Sequence, residues 1–322
     1  MIINKIANLK LLLLVTVLMG AIGCKTAKEG TMTQKGTQAV AAQKNYDLEN
    51  ALLWKIEGKG LTAPSYLFGT IHLIDTESFY WPKGTLAAFD ESEKVSFEVD
   101  LDNMFDMGKA MGMMSKAFMA DGQTLKDIYS PEDYKFVADH FSDMGLPMMM
   151  LERIKPMFLT VFASGDVELG KGLGDQTGSK SYEMELYDLA QASQKDVSGL
   201  ETIDYQMSIF DSIPIPAQAD MLLESLKSTD EDNDMFKEMV TMYQNQNINK
   251  MVSFMSEEEG GISGFEDMML YTRNKNWIPV MEGKMKEAKH FFAVGAGHLG
   301  GKDGVIDLLK AAGYKLTPMS QK

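Results

Sequence analysis

A single cysteine, Cys24, stands in a chain of 322 residues. No internal disulfide can form, so stability must come from hydrophobic cores, which a chain of this length can supply. Basic residues are also scarce: 31 Lys and Arg face 46 Asp and Glu, a formal charge of −15. An acidic excess of that size repels nucleic acid and anionic lipid surfaces and accommodates cationic ligands or metal ions more easily. Beyond residue 23 no apolar run is long enough to span a bilayer. H-E-x-x-H, C-x-x-C and G-x-S-x-G are all missing, which excludes the common zincin, thiol-redox and serine-hydrolase signatures. With 45% hydrophobic and 24% charged residues, the remainder has the composition of a globular protein.

Residues 1–23 read as an export signal, with Lys5 and Lys10 as the positive region, Leu11 to Met19 as the apolar stretch, and Gly20, Ala21 and Gly23 as the small-residue exit. Cys24 follows directly, where the lipobox of bacterial lipoproteins has its acylated cysteine. Ala21 holds the position at which that motif usually has Leu, so cleavage nearby without lipid is the alternative. The expectation is an exported protein of the bacterial cell envelope, held to a membrane through a lipid on Cys24. Residues 24–45 carry no apolar periodicity and suit a flexible tether, leaving 46–322 as the folded domain.

Within that domain, candidate strands are Leu52–Ile56, Tyr66–Thr70, Val95–Val99, Val197–Leu200, Phe291–Val294 and Tyr314–Thr317, the first two forming a hairpin through Gly58, Gly60 and Pro64. Long helical patterns separate the third, fourth and fifth. This predicts an α/β fold: a mixed sheet covered by helices, with a large helical insertion between the early and late strands. Met104, Met107, Met111 and Met114 recur at helical spacing, and Met148 to Met150 form a run. Methionine as adaptable core filler accounts for them; Cu(I) binding by converging thioethers is the alternative.

Two lookalike motifs lead nowhere. Gly295 to Gly300 fits G-x-G-x-x-G, but only 22 residues remain after it and the last strand ends in Pro318-Met319-Ser320, with no acidic residue there to hold a ribose. Gly165 to Lys171 approaches a P-loop, yet Gly172 stands where Ser or Thr must hold magnesium. Of the four histidines, His140 is expected on a solvated acidic helix face and His290 at a surface or sheet edge. His72 and His298 differ. Each ends an apolar strand three positions after a glycine, in Gly69-Thr70-Ile71-His72 and Gly295-Ala296-Gly297-His298. Such a glycine lets the backbone bend tightly at a strand end, the edge where open α/β sheets bind ligands. Glu98 and Glu201 lie at comparable positions on their strands. If these strands are neighbours, two imidazoles and two carboxylates gather at one rim, where they can hold a divalent transition metal or act as base and electrostatic partner without one.

Taken together, Leu67 to His72, Phe97 to Asp100, Tyr182-Glu183, Gly199 to Thr202 with Gln206, Arg273-Asn274 before Trp277, and Phe292 to Leu299 resemble the TraB/GumN family, which is similar to the Tiki metalloproteases and more remotely to erythromycin esterase and ChaN-like proteins. The resemblance implies a metal-dependent hydrolytic site, with peptide bonds as the substrate of the Tiki members. Carried over by position, it makes His72, His298 and Glu98 the ligands of a divalent transition metal ion of unspecified identity. It makes Glu201 and Arg273 further polar positions of the pattern; in the hydrolytic reading built on it Glu98, Glu201 and Arg273 are the catalytic residues, with Glu201 as general base, the roles of Glu98 and Glu201 open between them, Arg273 stabilising the oxyanion or orienting a carboxylate, and Gly69 and Gly295 as the bends. The expected partner is a peptide or small-molecule substrate; oligomeric state stays open. The competing reading is a non-catalytic envelope lipoprotein that binds haem, metal or peptide.

Overall fold

A computed structural model of the chain describes residues 48–102, 108, 112, 115–163, 178–227, 230–256 and 266–319. Residues 1–45 with Cys24, the methionines Met104, Met107, Met111 and Met114, and the glycine-rich loop at 165–172 lie outside the described residues. Eight strands are present among the described residues: β1 (Leu53–Gly58), β2 (Ser65–Thr70), β3 (Ile74–Asp75), β4 (Lys94–Val99), β5 (Ser179–Lys180), β6 (Asp196–Glu201), β7 (His290–Gly295) and β8 (Tyr314–Pro318).

Six of them build one sheet in the order β6-β4-β7-β2-β1-β8. β6, β4, β7 and β2 run parallel to one another, while β1 pairs antiparallel with both β2 and β8. The parallel centre explains the near-continuous apolar strands: all six residues of β2 are buried, and β4 and β7 each bury five of six. The expected mixed α/β sheet with its β1–β2 hairpin is therefore present, and the hairpin turn places Gly58 and Gly60 at φ 92° and 79°, backbone that glycine adopts without strain. The β3–β5 pair was not anticipated, because two residues apiece carry no period-2 signal.

Helices cap themselves with the residues the sequence supplies. Ser181 accepts a hydrogen bond from the Met184 amide at the start of helix Tyr182–Ala192, and Thr202 does the same with Tyr205 for helix Ile203–Asp211. Their apolar faces sort into two cores. One surrounds the sheet and includes Trp54, Phe68, Phe97, Tyr182, Trp277, Phe291 and Phe292. The other is built mainly from helices, with Leu125, Phe141, Leu159, Phe210, Leu222 and Leu270, and Ile203 packs against both. The helical insertion is thus assembled from both long inter-strand intervals, not from one block. Core methionines such as Met157, Met207 and Met281 behave as filler, but Met149 and Met150 are 85% and 67% exposed and do not.

Two histidine expectations need correcting. His140 is half-buried with its ring edge-on to Phe141, and its Nε2 is sealed from solvent. The flanking acids Asp139 and Asp143 remain exposed, but Cβ direction on the helix turns the imidazole inward. His290 is not at the surface but 1% exposed, because β7 sits in the middle of the sheet between β4 and β2. Its ring stacks on Phe292 at 5.3 Å, and Nδ1 donates to the Ala288 carbonyl.

Burial, assisted by Lys284 and Lys94 and opposed by the Ala288 contact and Glu287, pushes the His290 pKa below its ordinary value. The folded state therefore favours neutral His290, a contribution fully present above about pH 6.5 and lost as acid protonates the unfolded chain. We expect His290→Phe to lose less stability than wild type between about pH 7.5 and about pH 5 in urea unfolding. Parallel pH profiles would refute a buried neutral imidazole there.

Candidate functional site

Register decides which side chains meet. β2 and β7 pair with Thr70 opposite Gly295, and β4 and β6 pair with Val99 opposite Glu201. The two Gly-x-x-His turns and both strand-end carboxylates consequently leave the sheet at the same carboxyl rim. Gly69 is needed for this closeness: a Cβ there would stand 2.9 Å from Leu299 Cδ2 and 3.1 Å from Ala296, so any larger residue would wedge the turns apart. Gly295 forms the floor. A Cβ on it would lie 3.3 Å from Glu98 Oε1, 3.6 Å from His298 Cδ2 and 3.7 Å from His72 Nε2. The structure thus brings His72, His298 and Glu98 around one point.

Arg273, near the start of helix Thr272–Glu287, ties the rim together. Its Nε donates to Glu201 Oε1 at 3.0 Å, and Nη2 donates to Glu98 Oε2 at 2.6 Å and to Glu201 Oε1 at 2.7 Å. Its Nη1 donates to the Met269 carbonyl at 3.0 Å, in the π-helical turn Asp267–Tyr271, and lies 3.2 Å from His298 Nε2. All five N–H groups are engaged. None is free to meet an oxyanion, so the arrangement gives Arg273 a holding role. Glu201 is equally occupied: besides Arg273 it accepts from Trp277 Nε1 at 2.9 Å, and nothing of it is left for proton abstraction. Glu98 differs, since its Oε1 accepts only from the Gly295 amide, at 2.9 Å, while Oε2 takes Arg273 and Gln206 Nε2.

The histidines are held from behind. His298 Nδ1 donates to Asn274 Oδ1 at 2.6 Å; the amide is oriented by donating its own Nδ2 to the carbonyls of Asp303 and His298. That fixes the tautomer with the proton on Nδ1 and a lone pair on Nε2. His72, 18% exposed, places Nδ1 2.8 Å from Glu183 Oε1, an ion pair lying off the ring's donor axis. Glu183 in turn accepts from the hydroxyls of Thr70 at 2.6 Å and Ser181 at 3.1 Å.

These partners separate the charge states. Burial lowers the His298 pKa to about 3 against the pull of Glu98. For His72 burial acts the same way but Glu183, then Glu98, outweigh it and raise the value to about 9. Burial works against the Glu98 carboxylate, yet Arg273 and the Gly295 amide hold its pKa well below the usual range. Burial keeps Glu201 above its ordinary value despite Arg273.

Sequence reasoning listed His72, Glu98, Glu201, Arg273 and His298, which all meet. It gave no role to Glu183, Asn274, Gln206 or Trp277. Asn274 lies beside Arg273 and Trp277 one turn on, while Glu183 and Gln206 stand apart from any chosen residue in sequence; a first-turn Glu reads as a helix-dipole partner and a Trp as core. The chemistry of the donors suits a divalent ion: each imidazole is anchored through Nδ1, Nε2 is turned to the rim, and Glu98 Oε1 lies 3.7 Å from His298 Nε2. In this arrangement, however, no group of three His, Cys, Asp or Glu among the described residues is placed to hold a metal ion, and Arg273 occupies His298 Nε2, so the fit is one of donor type and not of assembled geometry.

A mostly parallel α/β sheet, reversed only at β1, with twin histidine turns and an arginine-bridged carboxylate pair at its rim defines the class. The chain belongs to the TraB/PrgY/gumN family, whose model matches residues 52–318. It is 24% identical over 328 residues to Metalloprotease TIKI1 of Danio rerio, covering 84% of this chain and 64% of that protein. It is 20% identical over 342 residues to Metalloprotease TIKI1 of Xenopus tropicalis, covering 89% and 65%. The chain thus spans just under two thirds of the length of these relatives. No solved structure matches.

Removing the guanidinium while leaving its partners strands two buried carboxylates. Arg273→Met is expected to lower unfolding stability at neutral pH by about 3–5 kcal/mol, with Arg273→Lys intermediate because one ammonium cannot serve every acceptor. Denaturant unfolding measures this; a loss under about 1 kcal/mol would deny Arg273 its holding role.

Proposed function

We propose that this chain is a metal-dependent peptidase of the bacterial cell envelope. The observation that carries the proposal is the convergence of His72, His298 and Glu98 Oε1 on Gly295; membership of a family with metalloprotease relatives supports it. His72, His298 and Glu98 would hold a divalent transition ion. When bound, such an ion supplies Lewis-acid polarisation of the scissile carbonyl and a water of lowered pKa. Glu98 is the carboxylate with an oxygen turned to the reacting atoms, and Gln206 and Arg273 keep it ionised and fixed. Glu201 and Trp277 keep Arg273 in place, so its positive charge acts as a preorganised field beside developing negative charge without donating directly. Export by residues 1–23 and acylation of Cys24 belong to the same proposal and would present the domain to extracytoplasmic peptides.

The test is cleavage of a peptide library by the exported protein, with metal content measured in parallel. Chelator is expected to abolish turnover and added ion to restore it. His72→Ala, His298→Ala and Glu98→Gln should each lower kcat/KM by about 100-fold or more, with metal lost in the two histidine variants. Undiminished metal occupancy in both histidine variants would remove the proposed ligands. Stoichiometric haem or metal binding without turnover of any peptide would favour the binding-lipoprotein reading instead.

A further inference from the structure

The twin motifs are anchored by different chemistry. His298 leans on a neutral amide, Asn274, at 2.6 Å, whereas His72 leans on a carboxylate, Glu183, at 2.8 Å. Glu183 is 4% exposed and sits in the first turn of helix Tyr182–Ala192, where the positive end of the helix dipole favours its charge. It grips the first Gly-x-x-His turn at two points, since one oxygen, Oε1, takes both the Thr70 hydroxyl and the His72 ring. The other oxygen is spent on Ser181, the residue that caps the same helix. Thr70 is opposite Gly295 in the β2–β7 register, so the grip also ties this helix start to the floor of the rim.

We propose that Glu183 is a positioning residue of the site. It sets the rotation of His72 so that Nε2 faces the point above Gly295, and it makes His72 a stronger donor than its twin. This rests on the metal-dependent reading given above. A buried carboxylate serves a structural purpose in any fold, but a purely structural carboxylate has no reason to spend the same oxygen on the one imidazole that leaves the strand toward the rim. A carboxylate set against the other nitrogen of a ligating imidazole raises its basicity and restricts its ring; here the contact is an ion pair at 2.8 Å off the ring's donor axis, which a small rotation of His72 converts into a hydrogen bond.

Two measurements on the full chain separate this inference from the reading beneath it. Co2+ affinity by calorimetry reports ligation, and 15N imidazole spectra report the His72 ring; with four histidines the signals are few enough to assign by substitution. Glu183→Ala is expected to weaken Co2+ binding about 10- to 100-fold, and Glu183→Gln, which keeps an acceptor at the same reach, to weaken it less. Both should change the His72 Nδ1 signal and leave that of His298 in place. If Glu183→Ala fails to fold, Glu183→Gln carries the comparison. Wild-type Co2+ affinity in the folded variants with an unchanged His72 signal overturns the positioning role. A wild-type protein that binds no Co2+ sinks the metal reading and with it the ligand-strengthening half of this inference, while an altered His72 ring in the variants would still uphold the orientation half.

Discussion

One guanidinium, deeply buried in a strongly acidic chain, is the interaction on which the site depends. Arg273 reaches three distant parts of the sequence, at Glu98, Glu201 and His298, besides the Met269 carbonyl one turn before it. Dehydrating these charges is expensive, and their mutual attraction offsets the expense only when every donor and acceptor is matched. Here the match is complete on the arginine side. A network of this kind stabilises little compared with an apolar core of equal volume, yet a half-made version is worse than none. It therefore acts less as glue than as a condition: β4, β6 and the helix bearing Arg273 are tolerable as neighbours only in the register that satisfies it.

The surplus charge of the cluster points outward to chemistry. Glu98, Glu183 and Glu201 face Arg273 and a His72 whose pKa is raised to about 9. Three carboxylates against one permanent cation, Arg273, leave a rim that receives a further positive charge, as a proton on His72 or as a metal ion in its place, more readily than an anion. The separation of the histidines follows from their anchors, a carboxylate behind one and an amide behind the other, so twin motifs with identical spacing become unequal groups.

The sheet was legible because its central strands are apolar on both faces and bounded by Gly and charged residues. The rim was legible because Gly69 and Gly295 repeat one device at two strand ends, and a glycine that no turn explains signals close approach. What escaped had no period. β3 and β5 contribute two residues each, and the helical core joins Phe210 and Leu270 to residues of the preceding inter-strand interval, a pairing that no spacing within either interval marks. His290 was misjudged for a topological reason: a histidine after Lys289 looks like a strand entrance at a surface, and only the insertion of β7 between β4 and β2 buries it. The roles of Arg273 and Glu201 could not be read from residue type, because counting which N–H and which oxygen is already used requires the partners' positions.

That insertion of β7 also governs when the site can exist. β2 and β4 are made early and lie two places apart in the sheet, with a gap that only residues 290–295 fill. Until β7 docks, Gly295 offers no floor, Glu98 Oε1 lacks its amide partner, and His298 is absent from the rim. Both pairings of β7 are long-range parallel contacts, the kind that form late because loop closure must precede any gain. The described residues of the interval between β4 and β7 supply β6, the helix bearing Arg273 and the second core, so the two halves of the rim are joined through a long stretch of chain. A rim closed by the final central strand therefore has its imidazoles and carboxylates together only where β7 stands between β4 and β2.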